Sequence, residues 1–123
     1  MVVDTSALLA VFFHEKKGSA VAKILESSAA ELRMSTVNLA EVLVLLQDRQ
    51  PQLALGIQEE LFKSSIRFVP PSIRHAQIAS DARMRFPLNL GDCFAYALAM
   101  DEGCPILTLD KDFRKTDASL VEI

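Results

Sequence analysis

Two kinds of apolar pattern alternate along the chain. Short runs without polar alternation are separated by longer stretches in which apolar residues recur every three or four positions. The first kind suits strands covered on both faces, and the second suits helices with one buried stripe. Met1-Val-Val-Asp reads as a short buried strand ending in a carboxylate. Thr5 or Ser6 caps a helix from Ala7 to about Phe13. After the polar turn at His14, Gly18 to Ser28 places Ala20, Val21, Ile24 and Leu25 on one helical face. Arg33-Met-Ser is the next strand, and Ser35 or Thr36 caps a helix to about Arg49. Pro51 opens another helix, with Leu53, Ile57 and Leu61 on one side and Glu59 and Lys63 paired at i,i+4. Ile66-Arg-Phe-Val is a strand closed by Pro70 and Pro71. Ser72 to about Phe86 is helical, with Ile73, Ala76 and Ala79 inward and an Asp81–Arg85 pair. Leu120-Val-Glu-Ile forms a last edge strand.

The stretch from Leu88 to Phe113 organises the rest. Cys93 to Met100 is apolar or small at every position, which predicts a helix buried all round. Asn89 is its N-cap, so Asp92 falls in the first turn. Gly103 suits the C′ position, and Pro105 follows. Ile106-Leu-Thr-Leu then forms a covered strand ending at Asp110.

Strands alternating with helices predict an α/β three-layer sandwich, a mainly parallel sheet flanked by helices. Such sheets bind ligands beyond the carboxyl ends of their strands. Asp4 and Asp110 both stand there. Glu41 is the only charge between Val37 and Leu46. Either Asn38, Glu41 and Asp48 form a narrow solvent-facing stripe, or Glu41 is a buried acid that must be paired or metal-bound. Each acid also has a purely structural role open to it. Asp4 could cap the first helix, Asp92 could complement a helix N-terminus, and Asp110 could cap a short turn from Lys111 to Arg114. A case for chemistry rests on the four acids together.

Composition narrows the classes. A chain of 123 residues, half of them hydrophobic, is read as one domain with a sizeable core, residues 1–123. Its formal charge of −3 argues against a non-specific DNA coat or a polybasic membrane binder. Cys93 and Cys104 imply no disulfide framework, and no apolar run is long enough to span a membrane. The chain starts on a strand without a basic segment before it, so no signal peptide is expected and the location expected is cytoplasmic.

Four segments carry a resemblance to a known family. They are Val3-Asp-Thr-Ser-Ala, Val37-Asn-Leu-Ala-Glu-Val, Leu90-Gly-Asp-Cys-Phe-Ala-Tyr-Ala-Leu-Ala and Leu107-Thr-Leu-Asp-Lys-Asp-Phe. In this order they resemble a PIN domain, and more narrowly the VapC ribonuclease toxins of type II toxin–antitoxin systems. The resemblance spans essentially the whole chain. It implies a parallel sheet flanked by helices and an acidic cluster that binds magnesium or manganese and cleaves single-stranded regions of RNA. Carried over by motif, the acids are Asp4, Glu41 and Asp92, with one of Asp110 and Asp112. Asp4, Asp92 and Asp110 would be metal ligands, and Thr5, Ser6 and Thr108 match hydroxyl-bearing positions near the site. The resemblance also implies a VapB-type antitoxin and a homodimer.

The residue types suit that chemistry. Magnesium and manganese prefer carboxylate and water oxygens, and no His or Cys ligand set accompanies the acids, which disfavours zinc. His14 and His75 read as surface or packing residues. Lys111 and Arg114, with Lys115, Arg83 and Arg85, are the cations nearest in sequence for phosphate contacts. Three other readings fit less well. A phosphoacceptor receiver domain needs an acidic pair after its first strand and an Asp after its middle strand, and neither is present. A non-catalytic PIN-like module binding RNA or protein would not need the full acidic set. A DNA flap nuclease would need an additional helical arch, for which the chain has no length.

Overall fold

The computed structural model describes residues 1–123. Four short strands, β1 (Val2–Val3), β2 (Arg33–Ser35), β3 (Arg67–Val69) and β4 (Ile106–Leu107), form one parallel sheet in the order β3-β2-β1-β4. Helices α1 (Thr5–Phe12) and α2 (Gly18–Ser27) connect β1 to β2. Helices α3 (Thr36–Arg49) and α4 (Ala54–Lys63) connect β2 to β3. Helices α5 (Ile73–Arg85) and α6 (Leu90–Glu102) lead to β4. A 3-10 helix, Lys111–Lys115, follows.

The two-residue period of the strands divides the core. Val2 and Ile106 point to one face and join a cluster with α5, α6 and Phe113. Val3 and Leu107 point to the other and join residues of α1, α2, α3 and α4. Both members of each pair are fully buried, which is why these strands show no polar alternation.

Helix α6 fits its sequence signals closely. The Asn89 side chain accepts a hydrogen bond from the Asp92 backbone N–H at 2.8 Å, and Gly103 ends the helix with φ +64°. Cys93 and Ala95 to Ala99 are buried, as expected; Met100, in the last turn, is 42% exposed.

Several expectations need correction. In α5 the inward line is His75, Ala79 and Ala82, whereas Ile73 is 81% exposed and Ala76 is exposed. The apolar pattern misses this because the line contains a histidine with both ring nitrogens satisfied. Nδ1 accepts from the Ser72 N–H at 3.3 Å, and Nε2 lies 2.9 Å from Asp101 Oδ2. Helix α4 begins at Ala54 rather than Pro51, and Leu53 is left 60% exposed in the preceding turn. The tail makes only one parallel bridge, Leu120 to Ile106, rather than a strand. Of the two expected i,i+4 pairs, Arg85–Asp81 forms at 2.9 Å, while Lys63 is in no ion pair.

Candidate active site

From β1 the chain builds outward through β2 to β3, then returns to place β4 on the other side of β1. The crevice at the carboxyl ends of β1 and β4 is therefore the switch point of the sheet, where open α/β folds bind ligands. Asp4 follows β1, and Thr108, Leu109 and Asp110 follow β4.

Asp4 is 1% exposed. Its Oδ2 accepts hydrogen bonds from Ser6 Oγ and Thr108 Oγ1, both at 2.8 Å. The same hydroxyls continue the network: Ser6 Oγ accepts from the Leu109 N–H at 2.9 Å, and Thr108 Oγ1 from the Asp110 N–H at 3.0 Å. Asp4 thus orients the segment that carries Asp110. Its other oxygen, Oδ1, is buried with no hydrogen-bond partner. Burial pushes the Asp4 carboxyl above its ordinary range, against the pull of its hydroxyl donors.

Glu41 approaches from α3. Its Oε1 accepts from Thr5 Oγ1 at 2.8 Å and from Asn38 Nδ2 at 2.9 Å, and Asn38 Nδ2 also donates to the Gly91 carbonyl at 3.0 Å. Asn38 is fully buried. The solvent-facing stripe of Asn38, Glu41 and Asp48 is therefore overturned, because α6 packs over its first two members; Asp48, further along, is exposed. Gly91 is what permits the packing. A Cβ there would lie 2.3 Å from Glu41 Oε2.

Asp92, in the first turn of α6, is 9% exposed. Burial raises its pKa from 3.8 to about 7, and the charges of Asp4, Asp110 and Glu41 push in the same direction. Four acids from four parts of the chain are thus electrostatically one group. The Asp112 carboxylate turns to Lys115 Nζ at 3.5 Å. Asp110 also caps the 3-10 helix, accepting from the Asp112 N–H at 2.9 Å.

No three of these side chains are arranged to ligate one ion by themselves. The donor set nevertheless suits a hard, hydrated cation. Magnesium is commonly held by one or two carboxylates and keeps several waters. The buried, unpartnered Oδ1 of Asp4 beside the strongly perturbed Asp92 has the chemistry of such an anchor.

A pH dependence follows for the metal-free protein. The folded state holds Asp92 protonated up to about pH 7, while in the unfolded chain it titrates near 3.8. Between these values the folded state binds more protons, so this group's stabilisation is complete at the acid end and is lost as pH rises to about 7. Asp4 adds in the same sense. Melting in EDTA should show a temperature that falls from pH 5 to 7.5, and saturating magnesium should flatten the fall.

The structure brings together Asp4, Thr5, Ser6, Glu41, Asp92, Thr108 and Asp110. Lys111 and Arg114 stand on an adjoining groove, and Asp112 pairs with Lys115. Sequence reading missed Asn38 and Gly91. Their signal was a buried-helix amide three residues before an isolated Glu, and a glycine in the first turn of an otherwise alanine-rich helix. It also missed Lys16 and Lys17, which line the same groove from a distant turn.

The comparisons with known proteins agree with this geometry. The family model described as "PIN domain" matches residues 1–119. The chain is 33% identical over 125 residues to VapC ribonuclease Mb0625 of Mycobacterium bovis, covering 94% of this chain and 93% of that protein. It is 34% identical over 133 residues to Ribonuclease VapC of Mycolicibacterium smegmatis, covering 98% and 99%. Among solved structures, the Sarcin-Ricin loop cleaving toxin VapC20 of Mycobacterium tuberculosis superposes with a TM-score of 0.85 at 18% identity, over 99% of this chain and 98% of the other. A DNA-bound VapBC from Salmonella typhimurium gives 0.77 at 16%, over 98% and 95%. With a family match along nearly its whole length and relatives above 30% identity, the chain belongs to the PIN domain family, within its VapC ribonucleases.

Proposed function

We propose that the protein is a metal-dependent endoribonuclease, the toxin of a toxin–antitoxin pair, that hydrolyses single-stranded regions of RNA and is neutralised by a VapB-type antitoxin. The observation that carries the reading is the acidic group at the sheet's switch point, with Asp4 Oδ1 buried and unpartnered beside Asp92. The names of the curated relatives support the nuclease class, and the VapBC complexes among the structural neighbours support the antitoxin. Exposed apolar side chains on α4 and α5, among them Phe62 and Met84, leave surface for the antitoxin and for a homodimer.

Asp4, Asp92 and Asp110 would hold the ion, magnesium or manganese. When bound, it would lower the pKa of water and offset negative charge at the attacked phosphate and the leaving oxygen. The protein's own groups do the positioning. Ser6 and Thr108 fix one oxygen of Asp4, which leaves the other free to ligate. Glu41, held by Thr5 and Asn38, orients the attacking water from the α3 side. Lys111 and Arg114 hold phosphates beside the site.

The test is cleavage of a mixed RNA pool by antitoxin-free protein with magnesium, with manganese and with EDTA. Cleavage is expected with either metal and should stop in EDTA. Millimolar metal should also raise the melting temperature, since binding to the folded state alone stabilises it; at a hundred times the dissociation constant the gain is about 2.7 kcal/mol. A folded protein that shows neither cleavage nor a shift would instead be a binding module.

A further inference from the structure

A groove of about 630 Å³ adjoins the acidic cluster, sharing Thr108 and Asp110 with it. It runs from the end of β4 toward the turn between α1 and α2 and the C-terminal tail. Four cations line it: Lys111 and Arg114 from the 3-10 helix, Lys16 and Lys17 from the α1–α2 turn. None of the four is in an ion pair, as is also true of Lys23, Arg49, Lys63 and Arg83 outside the groove; what sets the four apart is that they share one groove with Asp110. Glu15 and Glu122 share the lining without reaching salt-bridge distance of these cations. All four cations are exposed.

The turn that carries Lys16 and Lys17 is fixed to the protein body. His14 takes φ +52°, the Glu15 N–H donates to the Ala10 carbonyl at 2.9 Å, and Gly18 is buried against that carbonyl. A Cβ at Gly18 would lie 2.2 Å from the Ala10 oxygen, so only glycine allows this approach. Two lysines twelve or more residues from any site acid are thereby held on one side of a groove whose other side is Lys111 and Arg114.

We propose that this groove is the track for the RNA backbone leaving the acidic site, with Lys16 and Lys17 as its outer phosphate contacts. The inference rests on the nuclease reading and extends it to the path of the substrate. Free cations along a groove continuous with the scissile position suit a polyanion threaded through that position. The groove has no aromatic lining, so it offers no stacking platform; its hydrophobic members include Leu109, Leu120 and Val121. Contacts of this kind add affinity along the strand without reading base identity.

The test uses the full chain and a mixed-sequence single-stranded RNA of about 20 nucleotides, bound in EDTA so that it is not cut, with affinity followed against salt. Each phosphate contact on a single strand contributes about 0.7 to the slope of log affinity against log salt. Lys16→Gln/Lys17→Gln should lower that slope by about 1.4 and leave the melting temperature unchanged. Lys23→Gln/Lys63→Gln, at exposed lysines outside the groove, should leave the slope as it is. If the wild-type protein binds and, with metal, cuts RNA while Lys16→Gln/Lys17→Gln keeps the full slope, the track is overturned and the nuclease reading stands. If the wild type neither binds nor cuts RNA, both fall together.

Discussion

Asp92→Asn should abolish cleavage and at the same time stabilise the metal-free protein near pH 7. The two effects have one cause. Asp92 sits in the first turn of α6, nearly buried, among the charges of Asp4, Asp110 and Glu41. Ionising it there is costly, as its pKa of about 7 records. A cation at the proposed metal site would offset that cost. An asparagine keeps the shape and the N-terminal hydrogen bond from the Asp92 backbone N–H to Asn89 but carries no charge. It cannot serve as an anionic ligand, and it no longer repels its neighbours.

Outer partners of metal ligands already cost about 10- to 100-fold when removed, so loss of the ligand itself should exceed about a hundredfold. The fall in melting temperature between pH 5 and 7.5 in EDTA should become shallower in the variant, because one of the groups that causes it is gone. Cleavage rates in magnesium and melting curves in EDTA measure both. A variant that is inactive and also less stable at pH 7 would mean that Asp92 serves the fold. A variant that is stabilised and still active would remove it from the catalytic set.

Gly91→Ala is expected to separate activity from stability in another way. The added Cβ would lie 2.3 Å from Glu41 Oε2, 2.7 Å from its Cδ and 2.8 Å from Oε1. The carboxylate is the flexible end of a side chain, so it can move away. In doing so it abandons the hydrogen bonds from Thr5 and Asn38 that define its position. Displacement of a positioned group by about 1 Å can cost on the order of a hundredfold in rate, and a loss of that size is expected. Alanine is the better helix former by up to about 1 kcal/mol, a gain that the lost hydrogen bonds to Glu41 offset, so the melting temperature should change little beside the loss of activity. Shortening the clashing side chain, as in Gly91→Ala/Glu41→Asp, should recover part of the activity if the clash is the cause. Full activity in Gly91→Ala would show that cleavage does not depend on where Glu41 sits.

These expectations rest on features of very different legibility. The alternation of covered strands and helices gave the sheet and its parallel sense, because a strand buried on both faces has no choice but continuous apolar residues. Asn89 and Gly103 marked the ends of α6 through capping chemistry that is local to a few residues. The periodicity of α5 misled for the opposite reason. His75 is buried only because Ser72 and Asp101 satisfy its two nitrogens, and Asp101 lies 26 residues away.

The acids follow the same division. Asp4 and Asp110 were visible as carboxylates at strand ends, a position that the fold class makes informative. Glu41 was ambiguous, since a helix pattern cannot tell a solvent stripe from a face covered by another helix.

By itself the sequence determined the elements, the parallel sheet, the placement of acids at element ends and the family resemblance. All of these depend on neighbours in the chain or on motifs read in order. Only the tertiary structure decided which acids act on one another. It turned Asp112 toward Lys115, set Gly91 against Glu41 and Asn38, and brought the Lys16–Lys17 turn to the groove of Lys111 and Arg114. The physical reason is that charge coupling and close contact depend on distance in space, which the folded chain sets between residues that the sequence keeps dozens of positions apart.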